Sequence, residues 1–249
     1  MGRIGNVIGV LGTTGGSGKS TLCLALAHQL SRLGRVVVVD ADESVSALGM
    51  LAGSLGVGAE ALAGCSVIDE ERAERVASPL FGLGYWLVRG AGSPGERRGE
   101  MGEQFWADTV RALRQRFDYV IVDSSTLSVS RTQIEGMLLA CCDHVILCCS
   151  DNSVARARSE QWLLGTVSWI ASERVHPVTT RAKGAGTQLV GGRSPVAVIY
   201  EDERWASAFE ADLLAFGEYF DVALLELVRV VESVATLGIC EASVSRAAG

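Results

Sequence analysis

One run of this chain has the residue types and spacing to hold phosphate: Gly12-Thr13-Thr14-Gly15-Gly16-Ser17-Gly18-Lys19-Ser20-Thr21. Glycine tolerates backbone angles that a Cβ forbids. Gly15, Gly16 and Gly18 therefore let successive N–H groups around Ser17 turn inward as a nest for anionic oxygens. Lys19 adds a full positive charge for the outer phosphates. Ser20 offers a hydroxyl to Mg²⁺, with Thr21 beside it. The same letters would suit an ordinary Gly/Ser turn, and context separates the two. An apolar stretch, Val7 to Leu11, precedes the run, and an apolar-periodic segment, Leu22 to Ala27, follows it. Strand, glycine-rich loop and helix is the setting a phosphate loop requires. The helix aims its positive end at the same point.

Cradling phosphate does not hydrolyse ATP; a metal and a water must also be placed, and carboxylates at strand ends do that. Two apolar runs end in Asp: Val39-Asp40-Ala41-Asp42 and Val122-Asp123-Ser124-Ser125. In open sheets of parallel strands, ligands sit beyond the carboxyl ends, where these residues and the loop would converge. For any single Asp after a strand, the competing reading is a helix N-cap or a turn.

The elements that must position these groups alternate between two periods. Val36–Val39, Tyr85–Val88, Tyr119–Val122, Val145–Cys149, Val175–Thr179 and Val196–Ile199 read as strands. Helical patterns fall at Leu22–Leu33, Phe105–Gln115, Gln133–Cys141, Val154–Leu164, Trp205–Leu214 and Phe220–Leu237. Alternation of this kind predicts a doubly wound α/β domain, a mostly parallel sheet with helices on both faces. Gly90–Gly102 and Arg181–Ser194 read as glycine-rich loops. No composition break marks a second domain, so residues 1–249 are expected to form one.

The 249 residues suffice for one substantial core, and 48% hydrophobic with 20% charged residues describes a globular chain. A net charge of −7 argues against a surface built to coat nucleic acid. No apolar run is long enough to span a bilayer. Seven cysteines, an odd count without a secretory signal, suit reduced thiols in a cytoplasm. Cys141-Cys142 and Cys148-Cys149 suggest a four-thiolate metal site. Neighbours on a strand point to opposite faces, however, which favours packing in the core.

Gly15 to Thr21 resembles the deviant phosphate loop of the ParA/MinD superfamily, K-G-G-x-G-K-S/T, with Thr14 standing where the family has its first lysine. VVVVDADES is similar to the family's strand plus D-x-D, and FDYVIVDSS to its Walker B strand and second switch. Ala140–Arg158 is similar to the segment after that switch. PVAVIYED, Pro195 to Asp202, resembles the late strand, and Thr180-Arg181 falls where the family has an N-R or N-K pair. The resemblance implies a P-loop NTPase that binds ATP and Mg²⁺. It implies that Asp42 orients the attacking water, that Asp123 holds Mg²⁺ through a water, and that Asp40 supports the metal shell. It also implies a nucleotide-dependent homodimer and an unidentified protein partner.

The missing first lysine resembles the CpaE/TadZ-like branch, associated with pilus assembly and polar placement. The terminal segment Phe220–Leu237 carries only one base, Arg229, and reads as a packed helix rather than a membrane anchor. The expectation is a slow ATPase switch for positioning or assembly. Rival readings are a DNA-partition ATPase, a nucleotide-binding scaffold that scarcely turns over, and a metallochaperone-like ATPase using the cysteines.

Overall fold

β-branched runs bury well on both faces of a parallel sheet, and here they lie side by side in one. The structure is a computed structural model. It describes residues 4–41, 48, 58–80, 83–90, 101–126, 136, 140–166, 172–183, 190, 192–201 and 222–232. The strands are β1 (Asn6–Gly12), β2 (Val36–Ala41), β3 (Ser78–Leu80), β4 (Tyr85–Val88), β5 (Tyr119–Thr126), β6 (His144–Ser150), β7 (Val175–Ala182) and β8 (Ala197–Tyr200). Their order across the sheet is β3-β4-β2-β5-β1-β6-β7-β8. All neighbours are parallel except β3 and β4. The seven expected strands form. β3 has no counterpart in the sequence pattern: it is three residues long, and Pro79 is tolerated there because β3 is an edge.

The helices are α1 (Lys19–Leu30), α2 (Glu70–Arg75), α3 (Glu103–Leu113), α4 (Ser153–Thr166) and α5, residues 222–232. α2 is a further element without an apolar period. Its six residues are mostly charged, and Asp69 caps it by accepting a hydrogen bond from the Arg72 N–H at 2.8 Å. Asn152 caps α4 in the same way, accepting from the Ala155 N–H at 2.8 Å. α1 ends at Leu30 rather than Leu33, with the Gly34 N–H closing the last turn on the Leu30 carbonyl. Of Gln133–Cys141, residues 136, 140 and 141 are described and helical; Trp205–Leu214 lies outside the described residues.

Alternation along the strands sorts the interior into two layers. Val7, Val37, Val39, Val120 and Val122 pack under α3 and α4, with Trp106, Val110, Leu113 and Leu163. Ile8, Val36, Val38 and Ile121 pack on the other face under α1 and α5, with Leu22, Leu26, Leu224 and Leu227. Each such aliphatic side chain contributes about 1.5–3 kcal/mol on burial. Helices therefore cover both faces of the sheet, as the strand and helix periods required. α5 is a packed helix along its described length, and the Tyr119 hydroxyl donates to Glu232 at 2.5 Å to hold its end.

Candidate functional site

β1 lies in the middle of the sheet, between β5 and β6, so the loop leaving it opens where the neighbouring strands end. Gly16 and Gly18 take left-handed angles, φ 67° and 81°, which a side chain would strain. Gly18 is also the N-cap of α1, and no side chain caps that helix start. Gly15 is different: its φ is not positive, and a Cβ there would meet nothing within 4 Å. The conformational need for glycine thus rests on Gly16 and Gly18. Gly12 is required for another reason. A Cβ on it would stand 2.4 Å from Ser17 Oγ and 3.1 Å from the Lys19 side chain.

Lys19 is buried beneath this loop, at 8% exposure. Ser17 is wholly buried, and its Oγ has no hydrogen-bond partner among the described residues. Ser20 and Thr21 are half-buried at the start of α1. Asp40 and Asp123 are buried and stand in register on β2 and β5, and Asp123 also stands beside Val10 of β1. Ser124 donates to the Val10 carbonyl at 2.9 Å, binding β5 to the strand that carries the loop. Gly90 allows the chain after β4 to cross the Asp40 carbonyl, since a Cβ there would come within 2.5 Å of that oxygen. Asp42 lies outside the described residues.

Charges at this point reach one another through a common floor of thiols. Burial pushes the Cys23 thiol well above its ordinary range; Asp123, Cys148 and Asp40 push further, and Lys19 opposes them. Burial likewise pushes Cys148 up to about 12, with Lys19 pulling it down and Asp123 raising it. Lys19, Asp123 and both thiols therefore share one enclosed, low-dielectric corner. Cys148 belongs to the core layer under α1, whereas Cys149 and Cys142 belong to the other layer. Cys142 and Cys149 are thus buried in a different layer from Cys148, with Cys141 half-buried, and no cluster of His, Cys, Asp and Glu suited to a metal occurs among the described residues.

Three contacts have no sequence signal, because each joins residues more than 140 positions apart. Thr13 stands where the common loop has glycine, and its Oγ1 lies 2.9 Å from Ser159 Oγ and 3.3 Å from the Ala155 carbonyl of α4. The departure from the common pattern is absorbed by packing on that helix. Thr180, at the end of β7, donates to the Ser17 carbonyl at 2.7 Å. Arg181 donates to the Gly16 carbonyl at 3.4 Å. The sequence pattern has Arg181 opening a soft loop; instead β7 continues through it to Ala182.

The arrangement can hold an anionic chain of phosphates by backbone N–H groups and Lys19, beside two carboxylates able to attract a divalent cation. Solved structures share the whole fold. The septum site-determining protein MinD of Pyrococcus horikoshii OT3, solved with Mg-ADP, superposes with a TM-score of 0.71 at 16% identity, covering 94% of this chain and 97% of that one. A ParA family ATPase from Chlorobium tepidum TLS gives 0.70 at 19% identity, covering 93% and 98%. A variant of Cyanothece McdA, solved as its ATP complex, gives 0.69 at 17%, covering 93% and 98%. No curated protein matches the chain in sequence. The family described as the CobQ/CobB/MinD/ParA nucleotide binding domain matches residues 8–239, and the chain belongs to that family.

Proposed function

We propose that this protein binds ATP with Mg²⁺ at the β1–α1 loop and hydrolyses it slowly. Its self-association, or its grip on a protein partner, would follow the nucleotide. One observation carries this reading: a left-handed glycine loop, a buried lysine and two buried carboxylates meet at adjacent strand ends. The family match over residues 8–239 and the MinD, ParA and McdA likenesses support it, as they support treating the chain as one domain.

The residues divide the work. Gly15, Gly16, Ser17, Gly18, Ser20 and Thr21 present N–H groups to the phosphates, and Lys19 draws the negative charge of the outer ones. The donor set at Ser20, Asp123 and Asp40, one hydroxyl and two carboxylates, suits a hard cation such as Mg²⁺. When bound, that ion would neutralise charge on the phosphate oxygens. Asp42 would orient the attacking water, by the resemblance of its D-x-D segment. Thr14 is short and neutral, so it offers no charge to a second subunit's nucleotide. This favours slow turnover, or a scaffold that binds and scarcely hydrolyses. Thr14 is also the feature that points to the CpaE/TadZ-like branch and a role in positioning or pilus assembly. No described helix is long and apolar enough to cross a membrane; the proposed setting is the cytoplasm.

Calorimetry with ATP·Mg²⁺ tests the reading. Wild type should bind, and Lys19→Ala should weaken binding at least about tenfold, the worth of a charge-assisted contact. Equal affinity in the two proteins would end the assignment.

A further inference from the structure

β7 breaks its ladder where it meets the phosphate loop. Its register with β8 slips between Thr179 and Ala182. Within that slip, Arg181 takes φ 55° and is the only non-glycine residue with a positive φ among the described residues. Bulges and left-handed side chains persist where surrounding contacts over-determine them, and they gather at functional sites. The contacts are present here. Thr180 Oγ1 donates to the Ser17 carbonyl at 2.7 Å, and the Arg181 Nη1 to the Gly16 carbonyl at 3.4 Å. The other edge of the guanidinium is held by Glu201, just past β8, with Nε donating to Oε1 at 2.9 Å and Nη2 paired to the same oxygen. Lys183 stands 3.8 Å from the second carboxylate oxygen.

Two consecutive residues of β7 therefore hold two consecutive carbonyls of the loop. A trans peptide is planar, with its C=O and N–H pointing in opposite directions. Drawing the Gly16 carbonyl toward β7 sends the Ser17 N–H the other way. Drawing the Ser17 carbonyl does the same for the Gly18 N–H. We infer that Thr180 and Arg181 are positioning residues that set the phosphate loop in its anion-binding form before any ligand arrives, with Glu201 anchoring Arg181. The inference rests on the ATP-binding reading. It extends that reading to residues that need not touch the nucleotide, and it ties the loop to the far edge of the sheet.

The test uses the full-length protein, with ATP·Mg²⁺ and inorganic tripolyphosphate as separate probes. Thr180→Val removes the hydroxyl and keeps the shape; its affinity for both probes should fall about fivefold to tenfold, the worth of one hydrogen bond. Thr180→Ser should restore binding. Arg181→Gly separates loop setting from fold stability, because glycine accepts φ 55° without strain. Its urea midpoint should hold or rise while both affinities fall. Glu201→Gln should show a smaller loss of the same kind. Wild-type affinity in Thr180→Val and Arg181→Gly would overturn the inference. So would losses confined to ATP, which would make these residues base contacts. A wild-type protein that binds neither probe would instead refute the ATP-binding reading itself, and Lys19→Ala is the control that keeps the two failures apart.

Discussion

Asp40 and Asp123 occupy the same register position on two neighbouring parallel strands. Strands lie about 4.8 Å apart, and side chains in register project to one face. Two buried carboxylates so placed repel one another; Lys19, in the same corner, offsets part of that repulsion, and a bound divalent cation would offset more. Asp123→Asn should therefore leave the ligand-free protein as stable or more so. A gain of about 1 kcal/mol would raise the melting temperature by about 2–4 °C. The same variant should lose the Mg²⁺ dependence of nucleotide binding. Scanning calorimetry with and without Mg²⁺ checks both. A substantial fall in melting temperature would show that Asp123 is held by compensating contacts rather than held against repulsion.

Asp42→Ala should separate binding from turnover. ATP affinity should stay within about twofold, and phosphate release should drop by at least about a hundredfold, the usual worth of a group that positions or activates a water. Single-turnover phosphate release is the measurement. A variant that keeps the full rate would remove Asp42 from the mechanism.

Thr14→Lys should reveal whether this chain keeps a nucleotide sandwich between two copies. Supplying a charge across such an interface should raise ATP-dependent dimerisation, turnover or both. A trans-acting cation at transferring phosphates is worth on the order of 10³–10⁵ in rate where the geometry is right. Light scattering alongside phosphate release follows the two effects. A fast wild-type ATPase without any partner would contradict the slow-switch proposal directly.

Acid should weaken the fold through a histidine pair far from the loop. His144 Nδ1 and His176 Nε2 lie 3.1 Å apart in the interior, at the starts of β6 and β7. Burial holds both below the usual histidine range. His176 sits near 4, helped down by His144, and His144 is lowered despite the opposing pull of Asp143 and Glu232. Their folded pKa values lie below the unfolded value of about 6.5, so below that pH the unfolded chain takes up more protons. The stability they allow is whole above about pH 6.5 and is lost as pH falls toward 4. The slope is about 1.4 kcal/mol per pH unit per group, and His176 alone would cost about 3 kcal/mol by about pH 4. Urea midpoints taken at about pH 7.5, 6 and 5 should fall in step, and His176→Gln should flatten that fall. An unchanged slope in the variant would place the acid sensitivity elsewhere.

The strands and the loop are legible in the sequence because their signals are local. Val36–Val39 can bury on two faces only inside a sheet, and Gly18-Lys19-Ser20 after a strand has few other uses. Arg181 is not legible in this way. Glycine and charge nearby suggest a loop, whereas its contacts with Gly16 and Glu201 come from tertiary pairing. Thr13 looks like a defect of the motif. Only the approach of Ser159, from another helix, makes it a fitted residue. β3 is too short to carry a period, and α2 too charged to show an apolar face.

The strand order also has a consequence for how the molecule comes into being. β1 is synthesised well before either of its neighbours, β5 and β6, so Asn6 must wait for Tyr119 and Ile8 for His144. Pairings this distant along the chain close large loops and are slow to form. On the ribosome, the glycine loop must remain unsupported until the chain through β6 has emerged. A nascent chain halted before β6 would carry the motif complete in sequence and still lack the floor on which it rests.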